Sequence, residues 1–478
     1  MIRLFFERSG GQRMHFDHRP VRQRHVVRDI TESVCRFVRV ISDDGEHVDI
    51  APEICCLAAR DRAKRVQTTH ALYVISCREK RGCRCFVRWR ILLGATHHTF
   101  VAARTVYVFS THRQHHTAAS RAADMLVCSV CGDRYDRYGD VWRCDCGGPL
   151  DFTDQPLPDG SPEIDSTRGL WAFDSFLPIG PAVTLGEGFS PLTHSDRWDC
   201  QFKLEYVFPT GSFKDRGATT TLSLAVEQGV DRVVEDSSGN AGAAVATYAA
   251  RAGIDASIYV PASVKASKLR AIERAGAEVV RIEGDRQAVT TACIDAVESD
   301  GSWYASHAWN PAFFSGTATV AYELAAQRDW DVPDAVVMPL GHGTLFLGAY
   351  RGFRALKRAG WIDSMPRLLG AQAAGYAPIA DERHGDSGGR NDVADGIQIR
   401  EPARERQIHE AITATDGDAI AVSEDTVTDT LDSLHANGFC TEPTCAVAPA
   451  ALDTYRERGV VSPDDDVVVP LTGSGLKR

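Results

Sequence analysis

Short apolar runs alternate with amphipathic segments from about residue 200 to the end of the chain. The segments, such as ATYAARAG and KLRAIERAG, have the spacing of helices, and the runs have the length of buried strands. This alternation predicts an α/β fold with two open, mostly parallel sheets. Ligands of such folds bind where strands end and helices begin, so we expect the functional residues there. The predicted strands are FKLEYV, RVVEDS, ASIYVP, AEVVRIEG, SWYASH, DAVVMPLG, RLLGAQ and DVVVPLTG.

One of these junctions contains a lone lysine. In PTGSFKDRG, residues 209–217, Lys214 follows a turn and opens a segment with helical spacing. The positive end of a helix dipole and desolvation both disfavour an ammonium, which lowers the lysine pKa and makes the amine a nucleophile toward an aldehyde. Taken alone, the same pattern fits an ordinary surface lysine in a first helical turn.

Two other junctions have the composition of anion-binding loops. SSGNAG precedes an alanine-rich helix and offers hydroxyls and backbone amides to a carboxylate, although simple helix capping explains the same residues. GHGT precedes another helix and suits a phosphate, which needs amide donors and little side-chain bulk. The last predicted strand ends in LTGSG, which adds hydroxyls. The residues singled out are Ser237, Ser238, Asn240 and Ala241, then Gly341, His342, Gly343 and Thr344, and finally Thr472.

The formal net charge of -11 is the sum of two parts of the chain with opposite charge. Residues 1–124 carry 22 Lys+Arg against 12 Asp+Glu, whereas the remainder carries 31 against 52 and contains only six lysines. An acidic, lysine-poor surface is typical of a halophilic-type protein in a salty cytoplasm. It argues against nucleic acid as a partner, and we expect a cytoplasmic protein.

The basic part differs from the rest in composition as well as charge. Residues 1–124 hold 10 of the 16 histidines and 6 of the 14 cysteines, without helix or strand periodicity. This favours a mis-translated upstream extension or a disordered basic segment, with Met125 as the candidate start. A basic arm that binds nucleic acid or an anionic membrane is the alternative. MIRLFFERSG lacks the apolar core of a secretory signal, and ILLGATHHTFVAARTVYVF is too polar to span a bilayer.

A cysteine-rich stretch begins directly after Met125. CSVCGDRYDRYGDVWRCDCGGPL pairs Cys128 with Cys131 and Cys144 with Cys146. Four thiolates on two such turns close a tetrahedron around a structural zinc ion. Redox or incidental cysteines are the alternative, because the second pair is CxC rather than CxxC.

These observations predict three regions after the boundary at Met125. Residues 125–150 form a small zinc ribbon, and residues 151–180, rich in Pro, Asp, Ser and Gly, form a linker. Residues 181–478 form the catalytic body, in which residues 232–330 are a smaller domain inserted in the larger one.

The motifs PTGSFKDRG, SSGNAG, GHGT, EPTCA and LTGSGLK, in this order, resemble those of fold-type II enzymes that depend on pyridoxal phosphate. This group is also called the tryptophan synthase beta-like superfamily. The resemblance covers most of residues 180–478 and is nearest to the threonine synthases, some of which carry a similar N-terminal ribbon. It implies a pyridoxal phosphate cofactor, a small amino-acid substrate and a homodimer.

The resemblance also implies a role for each residue singled out above. Lys214 would form the Schiff base with the cofactor and later move protons. Asn240 would bond the cofactor's ring oxygen, and the GHGT loop would cradle its phosphate. Thr472 would face the pyridine nitrogen and leave it unprotonated. The two serines of SSGNAG, with Ala241, would hold the substrate carboxylate.

A threonine synthase converts O-phosphohomoserine and water into threonine and phosphate, which requires a cationic or donor-rich pocket for the leaving phosphate. This sequence departs from the family at that pocket. Phe313 stands where these enzymes usually have an arginine, Ala241 where they have a threonine, and His342 where they have an asparagine. His342 and Arg216 are the candidates to compensate.

The sequence therefore predicts a pyridoxal-phosphate-dependent lyase of the threonine synthase type. Phe313 favours an alternative, which is a serine or threonine dehydratase or a β-replacement enzyme of the cysteine synthase kind. An alternative of another class is a catalytically silent protein that keeps the fold and binds the cofactor.

Overall fold

The structure is a computed structural model of the chain. It describes residues 125–477 except 140, 154, 159–163, 265 and 386–387, and only four short strands before residue 125. The four strands form two antiparallel pairs, β1 (Arg39–Ile41) with β2 (His47–Asp49) and β3 (Leu72–Ile75) with β4 (Cys85–Arg88). The prediction of an extension or a disordered basic segment over residues 1–124 otherwise falls outside the described residues.

Strands and helices alternate through residues 200–470, as the hydrophobic pattern predicts. The strands are β5 (Leu126–Cys128), β6 (Arg134–Tyr135), β7 (Leu150–Phe152), β8 (Leu192–Ser195), β9 (Cys200–Lys203), β10 (Arg232–Glu235), β11 (Asp255–Pro261), β12 (Glu278–Ile282), β13 (Trp303–Tyr304), β14 (Ala335–Pro339), β15 (Arg367–Ala373), β16 (Asp418–Val422) and β17 (Val467–Pro470). The helices are α1 (Lys214–Glu227), α2 (Asn240–Ala252), α3 (Ala266–Arg274), α4 (Arg286–Asp300), α5 (Pro311–Gln327), α6 (Thr344–Arg358), α7 (Pro378–His384), α8 (Glu405–Ala414), α9 (Glu424–Ala436) and α10 (Pro443–Glu457). None of the helices in the described part of the chain is both long and apolar enough to cross a membrane.

The strands after residue 125 form three sheets. A small antiparallel sheet has the order β6-β5-β7, and a parallel sheet has the order β12-β11-β10-β13. The largest sheet has the order β16-β15-β14-β17-β9-β8 and is parallel except at the edge strand β8. Because residues 196–199 are too few for a crossover, β8 and β9 pair antiparallel. The predicted α/β fold is confirmed, with this antiparallel edge as the difference.

Helices cover both faces of the six-stranded sheet because its strands are apolar on both sides. Val336 and Met338 of β14 pack with α5, α6 and α8. Ala335 and Val337 point the other way and pack with α9 and α10. Each of these four side chains is at most 1% exposed. Such continuously apolar strands are typical of parallel sheets that are buried on both faces.

The small antiparallel sheet packs against the body through aromatic side chains. Trp142 lies edge-on to Tyr304 and Trp309, with ring centroids 5.3 and 5.0 Å away. The Tyr138 hydroxyl donates to the Tyr304 carbonyl at 2.9 Å. These contacts fall on β13 and on the segment that follows it.

A buried arginine ties the same segment to the small sheet. Arg404 is 1% exposed. Its Nη2 donates to the carbonyls of Leu150 and Trp309 at 2.9 and 2.8 Å, and its Nε donates to the carbonyl of Ala308 at 3.2 Å. Because a guanidinium carries five donors in a fixed plane, one side chain holds these two stretches of backbone together.

Residues 166–176 correct the prediction of a linker over residues 151–180. They form a 3-10 helix that is interrupted by non-helical backbone at Gly169 and Phe173, and its aromatic side chains are buried. Trp171 of this helix donates its indole N–H to the Thr219 hydroxyl of α1 at 3.3 Å. The polar stretch DQPLPDGSP dominates the composition of the segment and concealed the apolar LWAFDSF that follows it.

The predicted strand FKLEYV ends early, because its charged side chains turn inward. β9 stops at Lys203, whose Nζ donates to Glu323 at 2.6 Å. Glu205 accepts two bonds of 2.7 Å from Arg216, which also donates to Glu323 at 2.8 Å. All four side chains are 0% exposed. They form a buried ion network in which each charge has partners of opposite sign.

Removing one carboxylate from this network should destabilise the protein strongly. In Glu323→Gln, Lys203 and Arg216 are left to share Glu205 in a dry site, and the free energy of unfolding should fall by about 3–5 kcal/mol. Urea unfolding followed by circular dichroism measures this. The control is Arg143→Gln, which breaks an ion pair with Glu298 whose side chains are 42% and 51% exposed. That variant should lose less than about 1 kcal/mol, and equal losses in both variants would contradict the assignment.

Candidate active site

Lys214 begins helix α1, at the junction that the sequence predicts. The preceding residue, Phe213, donates its backbone N–H to the carbonyl of Thr472 at 3.1 Å. Ser212 pairs with Gly473 in an antiparallel bridge. The end of β17 therefore lies directly beside the start of α1. Main-chain bonds bring Lys214 and Thr472 together, although the two residues are far apart in the sequence.

The Lys214 amine lies among aromatic rings. Its Nζ is 4.7 Å from the ring centroid of Phe213 and 5.9 Å from that of Phe313. Burial lowers the pKa of Lys214 to about 8, although Glu235 and Glu442 favour the charged form. The amine is therefore largely neutral above pH 8, which is the form that attacks an aldehyde.

Asn240 connects the start of α2 to the C-terminal segment. Its Nδ2 donates to Oε1 of Glu442 at 2.7 Å, and its Oδ1 accepts from Nζ of Lys477 at 2.6 Å. Thr472 belongs to the same C-terminal segment as Lys477 and is buried, and its hydroxyl oxygen lies 3.5 Å from Sγ of Cys445. Asn240 is thus held in one orientation, with Nδ2 as its donor and Oδ1 as its acceptor.

The helices after the two predicted anion loops start without a side-chain cap. α2 follows Gly239 and α6 follows Gly343, and neither glycine has a side chain that could accept a hydrogen bond from a first-turn N–H. Three other helices of the body have such caps, from Asp285, Asn310 and Ser423. Uncapped first-turn amides bind anions, because they have no partner within the helix.

The first anion loop is held close to the strand that precedes it. Ser237 is buried, and its hydroxyl accepts the N–H of Gly239 at 3.3 Å. Ser238 is partly exposed, and Ala241 is buried in the first turn of α2. A Cβ on Gly242 would lie 1.8 Å from the carbonyl oxygen of Ser237, so this close approach requires glycine.

The second anion loop also contains an unpaired imidazole. Gly343 has φ of 76°, and a Cβ there would lie 2.7 Å from Cδ1 of Ile408. Thr344 donates its hydroxyl to the carbonyl of His307 at 3.3 Å. Both ring nitrogens of His342 are inaccessible to solvent and have no hydrogen-bond partner among the described residues. Unpaired buried polar atoms are costly, so His342 indicates a ligand in this loop.

The structure adds two residues that the sequence analysis left out. His307 is 5% exposed, and its Nδ1 lies 2.7 Å from Oε1 of Glu235, which is fully buried at the end of β10. The ring of His307 lies edge-on to the rings of Phe313 and His342, with centroids 6.1 and 5.3 Å away. This pair could have been predicted from the glutamate at the end of the apolar run RVVE, because a carboxyl in a buried strand requires a partner.

The prediction that Arg216 compensates for the missing arginine is wrong. Its Nε and Nη2 both bind Glu205, and its Nη1 binds Glu323 and Thr319. The guanidinium is 0% exposed. A group whose donors are bound on both edges cannot turn toward a substrate without leaving two buried carboxylates unpaired.

The four cysteines predicted as metal ligands converge in the small antiparallel sheet. Their sulfur atoms lie within 4.8 Å of one another. Sγ of Cys128 is 3.5 Å from that of Cys146, and Sγ of Cys131 is 3.4 Å from that of Cys144. None of the four is in a disulfide. Four converging thiols have the donor set of a structural zinc site.

The comparison with known families agrees with this geometry. The family described as Pyridoxal-phosphate dependent enzyme matches residues 183–473, which contain every residue placed at the junctions above. The chain belongs to this family. The resemblance that the sequence motifs carry is thereby confirmed.

Individual relatives extend the similarity over most of the chain. This pyridoxal-phosphate-dependent enzyme is 32% identical to the threonine synthase of Methanosarcina acetivorans, over 74% of this chain and 92% of that protein. It is 29% identical to the threonine synthase of Methanocaldococcus jannaschii, over 73% and 92% of the two chains. The processed form of threonine deaminase isoform 2 from Solanum lycopersicum has a TM-score of 0.52 at 21% identity, covering 68% of this chain and 92% of that one. The last similarity shows the fold alone.

The residues of the site fit the cofactor of the family. Pyridoxal phosphate presents an aldehyde, a ring nitrogen and a phosphate. The chain offers an amine at Lys214 whose pKa is lowered to about 8, a hydroxyl at Thr472 and uncapped amides at residues 341–344. Each polar part of the cofactor therefore has a chemically suitable group.

In the protein freed of cofactor, the reactivity of Lys214 should rise with pH around a midpoint near 8. Burial disfavours the ammonium, so the neutral amine is present at a pH where an ordinary lysine remains charged. Competitive labelling with acetic anhydride, followed by peptide mass spectrometry, measures the midpoint, with the exposed Lys357 as the internal reference for the reagent. If Lys214 kept an ordinary pKa, its rate at pH 8 would be about 300-fold below its plateau.

Proposed function

We propose that the enzyme is a threonine synthase, which converts O-phosphohomoserine and water into threonine and phosphate. The observation that carries this proposal is the extent of the similarity, because the chain covers 92% of each of two archaeal threonine synthases. The place of Lys214 at the start of α1, beside Thr472, supports it. The substrate is a small amino acid, as expected for the family.

Pyridoxal phosphate, when bound, supplies an electron sink for the carbanion that forms at the substrate's α-carbon. Lys214 binds the cofactor aldehyde and then moves protons, since its neutral amine is a base near pH 8. The amides of residues 341–344 hold the cofactor phosphate at the uncapped start of α6. Asn240, oriented by Glu442 and Lys477, donates to the ring oxygen.

Two further contacts complete the proposed site. The Thr472 hydroxyl would face the ring nitrogen of the bound cofactor, where a hydroxyl would leave that nitrogen unprotonated and moderate the electron sink. Ser237, Ser238 and the backbone of Ala241 hold the substrate carboxylate at the uncapped start of α2.

Phe313 favours a second candidate, a dehydratase or a β-replacement enzyme. Its ring packs directly on the backbone of α1, since a Cβ on Gly217 would lie 1.9 Å from Cδ1 of Phe313. An aromatic wall in place of a cation suits a substrate whose leaving group carries no phosphate. The assay below separates the two candidates.

With cofactor in high salt, the enzyme should release threonine and phosphate in equal amounts from O-phosphohomoserine. Lys214→Ala should lower this turnover by about 10²–10⁴-fold and remove the visible absorption band of the bound cofactor. Turnover of serine, threonine or O-acetylserine, with no reaction of O-phosphohomoserine, would favour the second candidate. A protein that binds cofactor but turns over none of these substrates would favour a catalytically silent binding protein.

The four-cysteine cluster is proposed to hold a structural zinc ion in a ribbon over residues 125–150. The convergence of the four sulfur atoms supports this. The division of residues 181–478 into a larger domain and a smaller one at 232–330 also remains a proposal. We also propose a homodimer, a halophilic-type protein, a cytoplasmic location and no nucleic acid or membrane partners. These proposals rest on the sequence and the family resemblance.

The purified protein should contain about one zinc ion per chain by metal analysis. Cys144→Ser should lose the metal and lower thermal stability, because three ligands no longer close the site. Cys440→Ser is the control, since Cys440 is an exposed free cysteine outside the cluster. Metal-free protein with disulfides between these cysteines would contradict the zinc assignment.

A further inference from the structure

The proposed reaction releases a phosphate, and among the described residues the cations near the proposed catalytic lysine are mostly bound to other groups. Arg216 is bound by two buried carboxylates. Lys477 already donates to Asn240 at 2.6 Å. Arg286 is the positive group whose charge acts on the site, but its side chain is 41% exposed and lies 3.9 Å from the Asp236 carboxylate. The leaving phosphate therefore needs a donor of another kind.

Two imidazoles lie next to the wall that Phe313 forms. The rings of His307 and His342 are edge-on, with 5.3 Å between centroids and 80° between planes. Both rings are close enough to Lys214 for its charge to act on them. Glu235 holds Nδ1 of His307, so Nε2 lies on the opposite side of that ring. Both nitrogens of His342 are buried and unpaired.

The Glu235–His307 pair shares one proton, and its surroundings decide where the proton lies. Oε2 of Glu235 already accepts the backbone N–H of His307 at 3.3 Å, so Oε1 is the oxygen that faces the ring. Burial, reinforced by Asp236, raises the pKa of Glu235 well above its usual range. Burial, reinforced by the charges of Lys214 and Arg286 and by His342, lowers the pKa of His307. The proton is then on Oε1, Nδ1 accepts it, and the imidazole hydrogen is on Nε2.

We propose that His307, oriented by Glu235, and His342 form the binding site of the substrate's leaving phosphate, in place of a guanidinium. This inference rests on the proposed threonine synthase activity. Nε2–H of His307 donates to the leaving phosphate, and so does the imidazole of His342, whose ring nitrogens have no other partner among the described residues. The backbone amides of residues 341–344 are left for the cofactor phosphate. The site is a pair of neutral donors in a dry pocket, where hydrogen bonds to an anion are strong.

The same pair supplies the proton that the leaving group requires. When the bond between Cγ and oxygen breaks, its electrons go to the phosphate oxygen, which takes the proton from Nε2 of His307. The proton on Oε1 of Glu235 moves to Nδ1, so the ring stays neutral and Glu235 is left as a carboxylate. The water that adds its hydroxyl at Cβ leaves one proton, which goes to Nε2 of His307, and the proton on Nδ1 moves back to Oε1 of Glu235. In each cycle the Glu235–His307 pair therefore gives up one proton and takes up one proton.

The test compares two ligands that differ only in the anion. 2-Amino-5-phosphonopentanoate carries a phosphonate at the position of the substrate phosphate, and norvaline carries none. The change in the visible absorption band of the bound cofactor gives the Kd of each ligand without turnover. The ratio of the two Kd values is the phosphonate preference, and the wild-type enzyme should bind the phosphonate more tightly.

His307→Asn and His307→Gln separate the function of the ring from its structural role. The short asparagine amide reaches Glu235 but has no group at the position of Nε2, whereas the glutamine amide reaches that position. His307→Asn should lower the phosphonate preference by about 10-fold to 100-fold, and His307→Gln should recover part of it. His342→Ala should lower the preference as well. Norvaline should bind both His307 variants within about threefold of wild type, which shows that the site is intact.

Arg286→Gln is the matched test of the competing cation. If the wild-type preference survives in the histidine variants and is lost in Arg286→Gln, the inference is wrong and the threonine synthase proposal stands. A loss of preference in His307→Asn that comes with an equal loss of norvaline binding would make His307 a structural residue and overturn the inference. No phosphonate preference in the wild type would contradict the proposed function itself.

Discussion

The buried guanidinium of Arg216 is the constraint on which the active site depends. It lies two residues after Lys214, and its bonds to Glu205 and Glu323 fix the first turn of α1 against the 3-10 turn that follows β9 and against α5. A charged network at 0% exposure tolerates little movement, because any shift leaves a buried charge unpaired. The amine of Lys214 is thereby held in an apolar environment that no local feature of its helix could maintain.

The opposite wall of the site is the segment between β13 and α5. Its His307 is bound by Glu235 from β10, while Trp309 packs on Trp142 of the small antiparallel sheet. Arg404 bonds the carbonyls of the two residues that follow His307. The cysteine cluster is therefore linked, through the sheet that carries it, to the backbone next to a proposed phosphate-binding residue. A metal bound by the four cysteines would therefore be connected, through these contacts, to the backbone that positions the active-site residues.

The site combines two ways of controlling charge. Around Arg216, opposite charges are paired so completely that none is available for a ligand. Around Lys214, burial lowers the pKa of an amine and of two imidazoles and raises the pKa of a carboxyl, so each group is shifted toward its neutral form. Neutral groups in a dry pocket lose little solvation when a charged cofactor and substrate arrive, and they respond to small changes in charge by moving protons.

Most of the fold and the main junctions were predictable, because they depend on local patterns. The alternation of apolar runs and helical spacing predicted the α/β fold, and the strand-to-helix junctions at Lys214, SSGN and GHGT lie where the sequence placed them. Two predictions failed where burial overrode composition. The segment FKLEYV turned its charges inward, and residues 166–176 entered the core behind a polar stretch.

The sequence by itself determined the family, the place of Lys214 at the start of a helix and the loops with uncapped amides, because each is encoded within a few consecutive residues. Only the tertiary structure decided which polar groups have partners. Arg216 and His307 are both ordinary residues in the sequence, yet Arg216 meets two carboxylates that satisfy it, and His307 meets Glu235, which lies 72 positions away. The physical reason is that the protonation and availability of a buried group depend on neighbours that long-range packing supplies, and a single sequence does not state those pairings.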